Sequence, residues 1–248
     1  MSGFAMKWKK QLFILATSGL AMLFATVFGA AAQDGARATA PDTDPANFVS
    51  QVDNKFFLLQ PGTTFVYEGA TDGIPTRDEV YVTHDTKQIL GGTCTVVRDR
   101  AFEDGALVEE TFDWYAQDVE GNVWYFGEDA KELDPNTGEV ISTEGSWEAG
   151  VNGAQPGIVM PANPKVGDRY QQENAPDVAE DMAQVRSLDE SACVSYDCFS
   201  DVLKTKEWSP LDKGVVENKY YAADVGLILA LTVKGGDESS ELVSITTE

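Results

Sequence analysis

The stretch TFDWYAQDVEGNVWYFGE, residues 111–128, is the densest run of aromatic residues in the chain, and its reading decides the fold. Two strand-like segments flank Asp118-Val119-Glu120-Gly121, and a short loop ending in glycine suits a turn that closes at positive φ. Pairing outward from Gln117 and Asn122 sets Ala116 opposite Val123, Tyr115 opposite Trp124, Trp114 opposite Tyr125 and Asp113 opposite Phe126. A hairpin with one solvated face is polar at every second position, because side chains alternate along a strand. Here one face carries Phe112, Trp114 and Tyr125, and the other Tyr115, Trp124 and Phe126. Either protein covers both faces, or one lines an apolar groove. Trp114, Tyr115, Trp124, Tyr125 and Phe126 would line it, joined by Trp147 and Met160 from the segments that follow.

Outward from the hairpin the pattern stays β. Strand-like segments fall at 63–68, 77–83, 93–101, 106–117 and 139–147, then at 168–173, 179–188, 199–208, 215–221, 227–234 and 241–246. Turns rich in Gly, Asp, Asn and Pro separate them. Short strands at regular spacing predict an all-β fold, an antiparallel meander forming a barrel, half-barrel or sandwich. One helix would make it α+β: Asp44-Pro45 supplies an N-cap and a proline at the first helical position, and Phe48, Val52 and Phe56 recur at helical spacing. GVNGAQPGIVMPANPKVG, residues 150–167, reads as a long ordered crossing loop stiffened by Pro156, Pro161 and Pro164. With Ile158, Val159 and Met160 at its centre, it would cover the core or plug one end of a barrel.

The chain opens as a secretory leader does. Lys7, Lys9 and Lys10 precede an apolar run, 12–28, and the small residues Gly29-Ala30-Ala31-Ala32 form a cleavage site. The expected division is a signal peptide at 1–32, a flexible lead-in with the short helix at 33–52, and one β-rich domain at 53–248. The location expected is periplasmic or extracellular. Later runs are too short and polar to span a bilayer as helices. Loss of the leader's three lysines takes the formal charge from −23 to −26. Such a field repels nucleic acid and anionic lipid and favours solubility, cations or a basic protein partner.

Three cysteines leave one unpaired. Cys193 and Cys198 stand close enough to bridge if the backbone brings their Cα atoms within about 7 Å, which leaves Cys94 a buried thiol; the alternative joins Cys94 to one of them. Catalytic signatures are absent: His84 is the sole histidine, Gly145-Ser146-Trp147 is no nucleophile elbow, and no glycine-rich phosphate loop opens a helix. Calcium is the better chemical expectation. Asp134, Asn136, Gly138 and Glu139 echo the start of a calcium loop, Asp42, Asp44 and Asn47 do so less well, and Glu128, Asp129, Glu132 and Asp134 cluster in sequence. Asp134-Pro135-Asn136-Thr137-Gly138 is equally an ordinary hairpin turn.

Four segments carry a resemblance: DNKFFLLQPGTTFVYEG (53–69), WYAQDVEGNVWYFGE (114–128), GSWEAGVNGAQPGIVMPANPKVGDRY (145–170) and EWSPLDKGVVENKYYAADVGL (207–227). Through them the chain is similar, over most of 53–243, to a family of exported bacterial proteins of unknown function. That family commonly has prolines where Lys55 and Leu58 stand here. The resemblance implies export and no assigned activity. The expectation is an exported, non-catalytic, barrel-like protein binding an apolar small molecule or a partner. The alternatives are a calcium-stabilised surface or interaction protein and, last, a hydrolytic enzyme using His84 or a carboxylate pair.

Overall fold

The computed structural model describes residues 44–248; the leader and residues 33–43 of the lead-in lie outside the described residues. Where a helix is expected there is one 3-10 turn, Pro45–Asn47, followed by β1 (Phe48–Val49), β2 (Val52–Asn54) and β3 (Phe57–Leu59). Tertiary hydrogen bonding overrides the helical spacing, since a short isolated helix gains little against its nucleation cost. Phe48 and Val49 pair with Asp118 and Gln117. Asn54 Oδ1 accepts the amide of Phe56 at 2.9 Å, closing the β2–β3 hairpin. Over the described residues the fold is therefore nearly all-β, its helical content confined to that 3-10 turn.

The first half of the main sheet is built by tight turns. Asp72-Gly73, Leu90-Gly91 and Asp104-Gly105 have positive φ at both residues, the mirror-image turn that matches strand twist. They join β4 (Thr63–Thr71), β5 (Ile74–Ile89), β6 (Gly92–Glu103) and β7 (Ala106–Asp118), and β8 (Val123–Leu133) follows. The segment expected as one strand at 139–147 is two, β9 (Val140–Ser142) and β10 (Trp147–Glu148), interrupted at Gly145 with φ +97. Inside the expected crossing loop lies β11 (Gly157–Met160), which pairs with β8, as β9 and β10 do. Its two flanks reach apart: Gln155 donates to Asn174 O at 2.9 Å, beyond β12 (Arg169–Gln171). The second half comprises β13 (Met182–Cys193), β14 (Cys198–Trp208), β15 (Val216–Ala222), β16 (Gly226–Lys234) and β17 (Ser239–Thr247).

The sheet order is β10-β8-β7-β6-β5-β4-β17-β16-β15-β14-β13-β12, antiparallel throughout. The last strand pairs with the first long one, β17 with β4, and so joins two meanders into one sheet. That contact needs a glycine: a Cβ on Gly69 would lie 1.8 Å from Ser239 O. The sheet does not close on itself and is a sandwich or half-barrel.

In the central hairpin the register differs by one residue from the expected pairing. Gln117 faces Val123, Ala116 faces Trp124 and Tyr115 faces Tyr125. Asp118 sets this register. Its Oδ1 accepts the amides of Glu120 and Asn122 at 2.9 Å each, and its Oδ2 accepts Asn122 Nδ2 and Trp124 Nε1 at 2.8 Å each. The loop between paired residues is thus one residue longer than supposed, and a one-residue slip exchanges the faces. Beyond Tyr125 the register shifts again, so that Asp113 pairs with Glu128. The extra residue sits beside Gly127, whose φ is +125 and whose Cβ would lie 2.2 Å from Trp147 O. Protein covers both faces: Phe57 packs 5.2 Å from Tyr115, and Phe48 packs edge-on 5.7 Å from Phe126.

Candidate ligand-binding site

Register places the inward residues in rows. Val80, Asp99, Thr111 and Ala130 form one row across β5 to β8, and Val82, Val97, Asp113 and Glu128 the next. On the other half, Val185, Thr205, Lys219 and Ala230 align across β13 to β16. Between the two halves lies a partly open cavity of about 60 Å³. Its wall is apolar: Phe57, Leu58 and Leu59 of β3, Phe65 of β4, Val80 of β5, Val159 of β11, and Val225 and Leu227 around the β16 turn. Tyr67, Gln172, Lys219 and Tyr221 form its polar side.

The β2–β3 hairpin roofs this cavity and is tied down at both ends. Asp53 and Gln117 exchange hydrogen bonds, Asp53 N to Gln117 Oε1 at 3.0 Å and Gln117 Nε2 to Asp53 Oδ1 at 2.7 Å. Asn54 Nδ2 donates to Gly121 O and Pro161 O, and Asp224 N donates to Lys55 O at 2.7 Å. The hairpin is therefore tied to the central turn, the crossing segment and the β15–β16 turn. At its floor Lys219 Nζ lies 3.0 Å from Glu207 Oε2 and 3.7 Å from Glu217 Oε2. Burial by itself would push the lysine down; the charges of Glu207 and Glu217 outweigh it and hold the ammonium above the ordinary lysine range. Glu207 Oε1 also accepts Thr205 Oγ1 at 2.6 Å and Tyr221 OH at 3.2 Å. Gln172 is 3 % exposed, and its Oε1 has no hydrogen-bond partner.

Beside the cavity the inward face of β5 to β8 is acidic. Asp78, Asp99, Glu109, Asp113 and Glu128 are buried there, and Glu173 faces them with no exposed surface. Asp113 and Glu128 are direct cross-strand neighbours, an arrangement in which two negative charges repel. Burial holds Asp113, Glu128 and Glu173 well above the usual carboxyl range, and their mutual repulsion adds to it. Burial pushes Asp99 up to about 7, and Glu238 to about 8 with Glu217 adding to it. Tyr125 OH donates to Asp113 Oδ1 at 2.5 Å and stacks on Tyr115 with centroids 4.7 Å apart.

The residues expected to bind an apolar ligand are placed differently. Trp114, Tyr115, Trp124, Tyr125, Phe126, Trp147 and Met160 are all core side chains, and none lines the cavity. Lys87 Nζ sits 3.1 Å from the Trp114 ring centroid, and Trp147 packs edge-on 5.4 Å from Tyr125. Phe57, Leu58, Val225 and Leu227 line the cavity; these residues were legible as apolar, but their convergence comes from strands distant in sequence.

The expected calcium residues are not brought together. Glu128 points inward, while Asp129 pairs with Lys131 at 3.0 Å on the opposite face. Asp134 Oδ1 accepts the amides of Asn136 and Thr137 at 2.9 Å, as in an ordinary hairpin turn. Among the described residues no group of three or more His, Cys, Asp and Glu side chains is set to hold a metal. His84 is exposed on β5. Cys193 and Cys198 form the disulfide at the tip of β13–β14, and Cys94 is a buried free thiol. No helix among the described residues is long and apolar enough to cross a membrane.

No protein-family model matches the chain. No curated protein matches it either. Two solved structures are similar over 78 % of the chain. One is described as an exported protein with a YmcC-like fold from Bacteroides fragilis NCTC 9343 (TM-score 0.47, 15 % identity, all of that chain covered). The other is described as a lipoprotein from Parabacteroides distasonis ATCC 8503 (TM-score 0.42, 13 % identity, 99 % of that chain covered).

Proposed function

We propose that this chain is an exported, non-catalytic binding protein that takes a small, largely apolar molecule into the cavity beneath the β2–β3 hairpin. The observation carrying this reading is the cavity itself: apolar side chains from both halves of the sheet converge on a partly open space under a roof fixed by hydrogen bonds. Concave, mostly apolar sites with few polar groups are the usual form of small-molecule sites. Export is supported by the leader pattern at 1–32 and by the Cys193–Cys198 disulfide, a bond that persists in oxidising compartments. Titration with Nile red, a neutral apolar fluorophore, tests the binding. The expected result is saturable, one-site enhancement that Leu58→Asp abolishes while the melting temperature stays within a few degrees. Absence of saturable binding to the folded monomer would refute it.

A further inference from the structure

The outer face of β12 to β15 carries a basic and aromatic strip that has no part in the cavity. Val185 and Thr205 point inward, so by strand alternation Arg169, Gln184, Lys206 and Asn218, which align across these four strands, share the opposite face. Half-buried Trp208 stands two residues along β14 from Lys206, and its ring centroid lies 5.2 Å from both Lys206 Nζ and Arg169 Cζ. Arg186 joins the row by donating to Gln184 Oε1 at 3.1 Å. On β5 to β8 the cations are matched differently: Arg77 and Arg100 pair with Glu79, Lys87 with Glu148, and Lys131 with Asp129. Arg169, Arg186 and Lys206 have no ion-pair partner among the described residues, and Lys204, one row on, reaches only Glu190 at 3.8 Å. In a chain with 41 acidic residues against 18 basic ones, three neighbouring cations without a carboxylate are the exception, and their charge is left for an anion from outside.

We propose that this strip binds an acidic oligosaccharide, a sugar ring against Trp208 and its carboxylates on Arg169, Arg186 and Lys206. A pyranose offers an apolar C–H face to the indole, and its hydroxyls match the Asn218 amide beside Lys206. Arg169 and Lys206 stand two strands apart, about 10 Å, so successive carboxylates of one short chain can engage both. Such a chain touches the strip alone, and at physiological salt the acidic remainder of the molecule is screened beyond about 10 Å; an anionic bilayer would face that remainder as well. Calorimetric titration of the full chain with tetragalacturonate, maltotetraose and tetraglutamate separates sugar from charge, and phosphatidylglycerol vesicles supply the bilayer. Tetragalacturonate should bind at one site and weaken as salt rises, with the neutral sugar and the acidic peptide each at least tenfold weaker. Arg169→Gln with Lys206→Gln should weaken tetragalacturonate at least tenfold, the effect of losing charge-assisted hydrogen bonds. The melting temperature should stay within a few degrees, and Nile red titration should be unchanged. Tetraglutamate or vesicles binding as tightly as tetragalacturonate, an affinity unmoved in the double variant, or no binding of tetragalacturonate at all would overturn the proposal.

Discussion

Asp99 gives the sharpest test of the acidic interior. It lies on β6 between Val80 and Thr111 in the inward row, with both carboxyl oxygens buried and without hydrogen-bond partners. Burial raises its pKa from 3.8 to about 7. Between those values the folded state holds a proton that the unfolded state releases. Stability therefore falls as pH rises through this window and levels off above the folded value. For one such group the loss between pH 5 and pH 8 is about 3 kcal/mol. Asp99→Asn mimics the protonated form at every pH and removes this contribution. Urea unfolding of both proteins at several pH values from 5 to 8 measures it. The variant should gain about 3 kcal/mol on the wild type across the range, with the m-value unchanged. Asp78, Asp113 and Glu128 push the wild type in the same direction and remain in the variant. Parallel curves for the two proteins would refute the reasoning, as would a wild type that gains stability with rising pH.

Lys219→Met leaves buried Glu207 and half-buried Glu217 without their cation, and chemical denaturation should show a loss of about 3 kcal/mol or more. Gly127→Ala forces a Cβ to within 2.2 Å of Trp147 O at a φ of +125; a melting temperature several degrees lower is expected, with weakened near-ultraviolet dichroism from the Tyr125–Trp147 contact. Cys193→Ser with Cys198→Ser opens a short hairpin-tip loop and should cost about 2 kcal/mol in unfolding free energy, with Nile red binding retained. Melting in millimolar calcium and in chelator should coincide, because a ligand of the folded state would raise stability by mass action.

Much of the fold was legible because it is written in local chemistry. Asp104-Gly105 can hardly be anything but a hairpin turn, and the alternation of Val80 and Val82 fixes which side of β5 faces inward. The opening segment was misread because Phe48, Val52 and Phe56 satisfy a helical spacing, and nothing local shows that the edge of β7 will offer Phe48 and Val49 a hydrogen-bonding partner. The hairpin register failed for a subtler reason. Aspartate is common in turns, but Asp118 here receives four donors at once, and one of them, Trp124 Nε1, comes from the facing strand. A single side chain decided which aromatics share a face.

That shift also separates the expected aromatic groove from the cavity. With Tyr115 opposite Trp124, Phe126 falls opposite Asp113, and a largely aromatic face follows. With Tyr115 opposite Tyr125 and a bulge at Gly127, the same face instead gathers Asp113 and Glu128 behind the tyrosines. An inward row bearing two opposed carboxyls makes a poor wall for an apolar ligand, and the apolar cavity draws its wall instead from β3, Phe65, Val80, Val159 and the β15–β16 turn, under the β2–β3 hairpin. The acids are not idle in that arrangement. Asp53 and Asn54, which hold the roof, bond to Gln117, Gly121 and Pro161, and all but Pro161 belong to the hairpin that carries the buried pair. Ionising Asp113 or Glu128 would drive β7 and β8 apart at the foot of the same hairpin. Roof and acidic row are thus two ends of one mechanical element, and raising the pH should loosen the cavity's roof before the sheet itself unfolds. Hydrogen exchange at the amides of Asp53 and Phe56, followed between pH 6 and pH 9 and corrected for intrinsic rates, should lose protection ahead of amides in β15 and β16. Uniform loss across the sheet would break that coupling.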